Sequence, residues 1–254
     1  MGSTQAWRDA LGCSIRVPMD AANCPWELMT PASISFCEAR LCGWVAEPSN
    51  AWSNAAYLLP AWWVLTQQRV LPVAFQRLAA IAAIALAATS FFFHASASRI
   101  GELADVSSMY VLPAMSLGRA FSERGLIRFG LALPFLTWAG ATAAMYFTGS
   151  DGIIVWGSLA MTALAVSAVR LRRLPDRRYA QALGVIGSFL IGYAIWWTDK
   201  LGWLCNPNGH LITGHAVWHC FTALSVVFFF KLEARLTEHP AALQNVRAGE
   251  GSAS

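Results

Sequence analysis

Seven apolar stretches, each close to the length of a membrane-spanning helix, restrict this chain to one broad class of fold. A helix needs roughly 20 apolar residues to cross about 30 Å of hydrocarbon. The stretches cover approximately residues 51–67, 76–97, 103–121, 127–148, 153–171, 179–198 and 212–232. We therefore predict an all-α integral membrane protein with a multi-pass, seven-transmembrane helix bundle.

The composition excludes a soluble protein and a disulfide-rich miniprotein. Of the 254 residues, 56% are apolar and only 13% are charged, whereas a soluble domain has about 25% charged residues. Six cysteines are too few for a disulfide scaffold of this length. The net charge of +4 comes from basic residues that lie in loops rather than on one face. This pattern indicates membrane topology and no binding of nucleic acid.

Polar composition sets both ends of the chain apart from the apolar stretches. We predict an extracytoplasmic or interfacial segment over residues 1–50, a seven-helix transmembrane domain over 51–235 and a disordered tail over 236–254. The Ala-rich, Lys-poor composition favours a bacterial inner membrane. The sequence indicates no oligomeric state.

The distribution of Lys and Arg predicts the orientation. With the N-terminus outside, thirteen of these residues fall on the cytoplasmic side and five on the other, as the positive-inside rule requires. The C-terminus is then cytoplasmic. Five cysteines face the non-cytoplasmic side, where disulfides persist, and their pairing stays open: Cys13, Cys24, Cys37, Cys42 and Cys205.

Four ionisable residues at membrane depth are candidates for function because their burial in lipid is costly. His215 and His219 are four residues apart in GHAVWH and share one helix face. His94 ends the second stretch, with Ser90 one turn before it, and Asp105 begins the third. The predicted topology places all of these residues in one layer near the outer, periplasmic interface.

Three neutral imidazoles suit Zn²⁺ and leave a fourth tetrahedral position open for water. Zinc lowers the pKa of a bound water to about 7. Asp105 is then the expected proton acceptor, and Ser90 is the expected hydrogen-bond donor to the oxyanion. This interpretation predicts metal-assisted hydrolysis of a lipid that enters sideways from the membrane.

Each candidate also has a structural interpretation. A histidine can serve packing or hydrogen bonding, Asp105 can interact with the helix dipole, and Ser90 can bond within its own helix. Asp199 is either an interfacial partner of Lys200 or a partner behind a ligating histidine. We expect His210 to be solvated and His239 to lie too far away, on the cytoplasmic side.

The order of these motifs resembles the alkaline ceramidases and their bacterial relatives. This family belongs to a superfamily of seven-helix membrane hydrolases that includes the progestin and adiponectin receptors. The resemblance covers about residues 35–232 and rests on CEARLCGWVAEPSNAWSN, SFFFH, Asp105 eleven residues after His94, WWTD with Cys205, and GHAVWH.

The resemblance implies an activity and a role for each site residue. It implies that His94, His215 and His219 bind zinc and that Asp105 and Ser90 are catalytic. The implied reaction cleaves the amide bond of ceramide to a sphingoid base and a fatty acid. Two alternatives stay open: hydrolysis of another acyl lipid, and a lipid-responsive receptor of the same fold with a structural zinc.

One family feature matches this sequence poorly. Animal alkaline ceramidases bind Ca²⁺ with a DWCEEN-like stretch and a later glutamate. Glu38 and Glu47 match the two acidic positions, but Arg40 replaces the Asn of that stretch and opposes a cation that needs six to eight oxygen ligands. We expect calcium to be absent or weak. Arg40 paired with Glu38 or Glu47, or a Cys37–Cys42 disulfide, could take its place.

Overall fold

A computed structural model describes residues 24–67, 70–172 and 179–238, and its regular elements are helices. Cys13, His239, all but three residues of the predicted tail and the first 23 residues of the N-terminal segment lie outside the described residues. A 3₁₀ turn, Asn54–Tyr57, joins α1 to α2. The α-helices are α1 Pro48–Ser53, α2 Leu58–Leu65, α3 Val73–Ser96, α4 Arg99–Met109, α5 Val111–Ser122, α6 Ile127–Thr148, α7 Ile153–Arg172, α8 Ala180–Lys200 and α9 Gly214–Glu238.

Five of the described helices are long and apolar enough to cross a membrane, namely α3, α6, α7, α8 and α9. The predicted all-α class is therefore confirmed, and five of the seven predicted stretches are single long helices. The first stretch is divided between α1, the 3₁₀ turn and α2, and the third is divided between α4 and α5.

Polar side chains cause the first division. The hydroxyl of Ser53 and the amide of Asn54 both donate to the carbonyl of Asn50, at 2.9 and 2.8 Å. Such side-chain donors compete for a carbonyl that a continuous α-helix would use itself. The chain therefore tightens into a 3₁₀ turn at this point.

A proline four residues downstream of Met109 accounts for the second division. Pro113 has no backbone N–H, so the carbonyl of Met109 lacks its usual intrahelical donor. The indole Nε1 of Trp156 on α7 donates to that carbonyl instead, at 3.0 Å. The Tyr110 hydroxyl also donates to the carbonyl of Gly152, at 2.6 Å. The break between α4 and α5 is thus the place where α7 is attached.

The N-terminal segment lies across the tight link between α3 and α4. Ala97 adopts a left-handed backbone conformation with φ of 47°, which turns the chain from one helix into the next. Ala32 donates to the carbonyl of Ala97 at 3.0 Å, and Arg99 donates to the carbonyl of Thr30 at 2.7 Å. These bonds hold the segment against the end of α3 that carries His94.

Two disulfides fix the same segment. Cys24 pairs with Cys42, and Cys37 pairs with Cys205 in the loop between α8 and α9. The suggested Cys37–Cys42 pair is therefore wrong. Each of these cysteines has a different partner, because the segment folds back on itself and also reaches the α8–α9 loop.

Candidate metal centre

Three buried histidines from two helices meet near one end of the bundle. His94 lies in the last turn of α3, and His215 and His219 lie in the first two turns of α9. The Nε2 atoms of His94 and His215 are 3.2 Å apart. One nitrogen of each ring lies within 4.8 Å of the others. The structure thus brings together the three histidines that the sequence analysis singled out as candidate metal ligands.

The outward nitrogens of two rings have hydrogen-bond partners. Nδ1 of His94 lies 2.7 Å from Oε2 of Glu47, and Nδ1 of His219 lies 2.7 Å from Oγ of Ser53. Ser53 already donates its only proton to the carbonyl of Asn50, so its oxygen accepts from His219. Both rings therefore carry their proton on Nδ1, which leaves the Nε2 lone pairs free for a metal ion.

The third ring is held by stacking. Phe36 stacks on His215 with the ring centroids 3.9 Å apart, and among the described residues Nδ1 of His215 has no hydrogen-bond partner. Asp199 was one candidate for that partner, and this expectation is wrong. Its Oδ1 accepts from the backbone N–H of Gly214 at 3.1 Å and is within reach of the backbone of His215. Asp199 therefore fixes the start of α9 rather than the imidazole.

Ser90 lies one turn before His94 on α3, and Asp105 lies on α4, where it interacts electrostatically with His94. Both side chains are buried, and the Ser90 hydroxyl is within hydrogen-bonding reach of the Asp105 carboxylate. The hydroxyl of Thr89, the residue before Ser90, donates to the hydroxyl of Ser108 on α4 at 3.0 Å. The contact between α3 and α4 therefore holds an acid and a hydroxyl beside the three imidazoles.

Glu38 is used by the protein itself. Its two carboxylate oxygens accept from the backbone N–H groups of Ser49 and Asn50, at 2.9 and 3.0 Å, where α1 begins. Nδ1 of His210 lies 3.0 Å from the same carboxylate. His210 was expected to be solvated, but its side chain is only 28% exposed. That expectation is wrong because the α8–α9 loop folds onto the N-terminal segment.

Glu47 joins the histidine site to Arg40. The Nε atom of Arg40 lies 3.5 Å from Oε1 of Glu47, while Oε2 of the same carboxylate contacts His94. The amide of Asn50 also donates to Oε2, at 3.2 Å. The Arg40 guanidinium thus supplies a positive charge beside this carboxylate. This pairing of Arg40 with Glu47 is one of the alternatives to calcium that the sequence suggested.

The three histidines could hold a metal ion, and the spacing of one pair, His94 and His215, is compatible with zinc. At Zn–N distances of about 2.0–2.1 Å, two nitrogens on a tetrahedral zinc lie about 3.3–3.4 Å apart, and the two Nε2 atoms of His94 and His215 are separated by 3.2 Å. Glu47, which accepts from His94, is of the kind that orients metal-binding imidazoles, and Ser53 accepts from His219 in the corresponding position. Three protein ligands are the number that catalytic zinc sites use.

The sequence analysis missed three contributors to this site. It treated Glu47 only as a possible calcium ligand or ion-pair partner, and it gave Ser53 and Phe36 no role. A buried carboxylate is the usual partner of a metal-binding histidine, so the acidic residue before the first apolar stretch was an available signal. The sequence offers no such signal for Ser53 and Phe36, because both reach the histidines only through long-range folding.

Comparison with known proteins identifies the family of the chain. No curated protein sequence matches the chain. The family model described as ceramidase matches residues 29–245, which include every residue of the site and all the described helices. Ceramidases are hydrolases that act on an amide, and the apolar helices are consistent with a membrane protein whose substrate is a lipid. The chain belongs to the ceramidase family.

Proposed function

We propose that this protein is a zinc-dependent integral membrane amidase that hydrolyses the amide bond of ceramide or a ceramide-like lipid. One observation carries the proposal: three imidazole nitrogens lie within 4.8 Å of one another, beside the Ser90–Asp105 pair. A site that only binds a metal ion would need the imidazoles but no acidic residue beside them. The buried carboxylate next to them supplies the proton transfer that hydrolysis needs.

His94, His215 and His219 would hold the zinc ion. When bound, zinc supplies a Lewis acid that polarises a carbonyl and makes a water molecule acidic near neutral pH. The contribution of the protein is to orient the ligands. Glu47 and Ser53 keep protons on the outward nitrogens of two rings, and Phe36 fixes the plane of the third.

Asp105 would move the proton. It accepts a proton from the attacking water as the water oxygen bonds to the amide carbonyl carbon. It then gives that proton to the amide nitrogen as the C–N bond breaks, which releases a fatty acid and an amine, the sphingoid base. Its burial between α3 and α4 excludes bulk water, so the proton stays in the site.

Ser90 would act in two ways. In the free protein its hydroxyl is within reach of Asp105 and would donate to the carboxylate. With a substrate bound, the same O–H would rotate to the developing oxyanion on the carbonyl carbon, where a hydrogen-bond donor is most effective. The hydroxyl is a single donor, so it serves either the carboxylate or the oxyanion.

An aromatic wall beside His215 supports a lipid substrate. Trp196 lies 6.3 Å from the His215 ring, and Trp218 lies 6.1 Å from Trp196. The ring centroid of Phe189 on α8 lies 5.1 Å from that of Trp218 on α9 and 5.9 Å from that of Trp156 on α7. These rings form a continuous apolar surface from the histidines toward α7, which suits the hydrocarbon chain of a lipid.

We propose seven membrane crossings, with the N-terminus outside and the site on the periplasmic side of a bacterial inner membrane. The divided helical stretches 48–65 and 99–122 span about 28 and 36 Å, at about 1.5 Å per residue and slightly more in the 3₁₀ turn. Two disulfides at the histidine end support that side, since they persist outside the cytoplasm. Among the described residues, the arginines at the opposite end, where the positive-inside rule requires them, include Arg119, Arg124, Arg128, Arg170 and Arg172.

We propose that calcium is not a cofactor. Glu38 and Glu47 are engaged by backbone N–H groups, His210, His94 and Arg40. A calcium ion would need oxygens that these donors already occupy, and the guanidinium of Arg40 opposes a second positive charge.

The test measures zinc content and ceramide hydrolysis in parallel for the parent, His215→Ala and Asp105→Asn. We expect His215→Ala to lose both, and Asp105→Asn to keep zinc while its rate falls by at least about 10²-fold. Asp151→Asn is a control for the same chemical change at an exposed position, because in the described hydrogen bonds Asp151 accepts from the Ile153 N–H and an Asn oxygen can replace it. Full turnover by Asp105→Asn would contradict the mechanism. A parent protein that binds zinc but hydrolyses no lipid amide would favour the receptor alternative.

A further inference from the structure

A cavity of about 370 Å³ opens between α3, α5 and α6, at the end of the bundle opposite to the histidines. Glu233, at that end of α9, is fourteen residues from His219, or about 21 Å along the helix axis. The volume is in the lower part of the range for ligand pockets, about 300–1,000 Å³. Its apolar lining includes Phe75, Leu78, Met115, Ile127, Leu131 and Pro134.

Two charged residues, Arg119 and Glu123, also line this cavity. Arg170 on α7 binds Glu123 with its Nε at 3.0 Å and the fully buried Glu233 with its Nη1 at 2.9 Å. Arg170 thus pairs with the carboxylates of both Glu123 and Glu233. Arg119 is therefore not the main partner of either carboxylate.

Arg119 has more hydrogen-bond donors than its described partners use, and its side chain lines the cavity and is 19% exposed. A guanidinium has five N–H groups. Arg119 donates one to the hydroxyl of Thr237 at 2.8 Å, and its Nε lies 3.6 Å from Glu233 and has no hydrogen-bond partner among the described residues. The side chain is also packed over the Phe75 ring, at 5.3 Å, which fixes the guanidinium where an apolar wall and a positive charge meet.

Two exposed arginines adjoin the cavity lining along the chain. Arg124 and Arg128 are the chain neighbours of the lining residues Glu123 and Ile127, and both are exposed. Basic pockets between transmembrane helices bind anionic lipid headgroups, and each nearby Lys or Arg strengthens this attraction. Charge and shape therefore favour an anionic amphiphile over a neutral or cationic one.

We propose that this cavity is a binding site for one anionic phospholipid, with the phosphate on Arg119 and the first part of one acyl chain against Phe75, Leu78 and Leu131. The cavity holds part of a single chain, and the remainder lies on the exposed lipid-facing surface of α6. The site is separate from the histidines and does not depend on the proposed hydrolysis.

The experiment titrates the delipidated full-length protein in detergent with phosphatidylglycerol or phosphatidylcholine of the same acyl chains, and counts bound lipid by native mass spectrometry. We expect one phosphatidylglycerol to bind at least about tenfold more tightly than phosphatidylcholine. Both lipids offer a phosphate to Arg119, but phosphatidylglycerol has a net negative charge, whereas the choline ammonium of phosphatidylcholine cancels its phosphate and is repelled by the arginines. Equal binding of the two lipids, or no binding of phosphatidylglycerol, would overturn the proposal.

Two pairs of variants locate the lipid. Leu131→Trp fills the cavity, whereas Leu136→Trp changes a comparably exposed leucine outside it (62% and 53% exposed). Arg119→Gln removes the proposed phosphate ligand, whereas Arg172→Gln removes an exposed charge at the same end. We expect the first member of each pair to weaken phosphatidylglycerol at least about tenfold and the second less than about twofold.

The comparison of Leu131→Trp with Leu136→Trp decides the proposal even if Arg119→Gln does not fold. Neither tryptophan variant changes the charged residues Arg119, Glu123, Arg170 and Glu233. Undiminished binding of phosphatidylglycerol to Leu131→Trp would show that the lipid binds elsewhere. Oleate that binds at this site while phosphatidylglycerol does not would identify a fatty acid as the occupant and overturn the choice of a phospholipid.

Discussion

Replacing Glu47 by glutamine tests whether a residue outside the transmembrane helices controls the metal centre. Glu47→Gln keeps the size of the side chain and removes its charge. Glu47 accepts from Nδ1 of His94 at 2.7 Å and pairs with Arg40 at 3.5 Å. The change therefore weakens the bond that orients one ligand and leaves the guanidinium without its nearest carboxylate.

The expected size of the effect comes from the bond to His94. This bond is buried and has a charged acceptor, and such bonds contribute about 1.5–3 kcal/mol. Since about 1.4 kcal/mol corresponds to a tenfold change in an equilibrium constant, zinc affinity should fall by about 10–100-fold. Partners of metal-binding histidines show losses of the same size when they are changed. The bond between Ser53 and His219 has no charged member, so Ser53→Ala should lose less.

The assay is competition for zinc against a chelator of known affinity, with purified protein in detergent. Glu102→Gln is the matched control for Glu47→Gln. Glu102 is buried and pairs with Arg99 at 2.7 Å, but it contacts none of the three histidines in the described hydrogen bonds. We expect the control to bind zinc within about threefold of the parent. A folded Glu47→Gln protein with unchanged zinc affinity would refute the proposed role of Glu47.

The long disulfide, the acidic residues and a close glycine contact each give a further prediction. Cys37→Ser should destabilise the protein by about 2–4 kcal/mol, seen as a lower melting temperature, because the Cys37–Cys205 bond closes a separation of 168 residues; an unchanged melting temperature would contradict this. Removal of calcium at a constant, buffered concentration of free zinc should leave ceramide hydrolysis within about twofold, because protein donors already occupy the carboxylates that calcium would need; loss of activity that calcium restores at the same free zinc would refute that proposal. Gly118→Ala should cost about 1–3 kcal/mol because its Cβ would lie 2.3 Å from the carbonyl oxygen of Gly130, whereas Gly140→Ala meets nothing within 4 Å; equal melting temperatures for the two variants would show that α5 and α6 can separate.

Local periodicity and helix direction made the three histidines predictable. The spacing of His215 and His219 places both rings on one helix face whatever the rest of the chain does. Alternating helix direction then brings the end of α3 and the starts of α4 and α9 to the same end of the bundle. His94, Asp105 and the histidine pair therefore converge for reasons that the sequence contains.

Contacts made by irregular segments were not predictable in this way. Glu47 reaches His94 because the N-terminal segment bonds along the end of α3, with the Glu47 N–H donating to the His94 carbonyl at 3.0 Å. The partner of Cys37 lies 168 residues away, and no periodic pattern connects the two positions. The same applies to His210, whose loop folds onto Glu38.

The two helix divisions had signals that hydropathy alone does not weigh. Pro113 removes the donor for the Met109 carbonyl, and the serine and asparagine at 53 and 54 offer donors of their own. Both signals act through hydrogen bonds inside stretches of suitable apolarity and length. A count of apolar residues therefore predicts where helical segments lie but not where they break.

Helix α9 is anchored by polar contacts at both of its ends. Asp199 binds the backbone at its start, and Arg170 binds Glu233 near its end. A helix fixed at two depths cannot slide or tilt freely when the surrounding bilayer becomes thinner or thicker, so hydrophobic mismatch must be absorbed by the lipid or by less anchored helices such as α6. The spacing of the histidines should consequently be the same in membranes of different thickness.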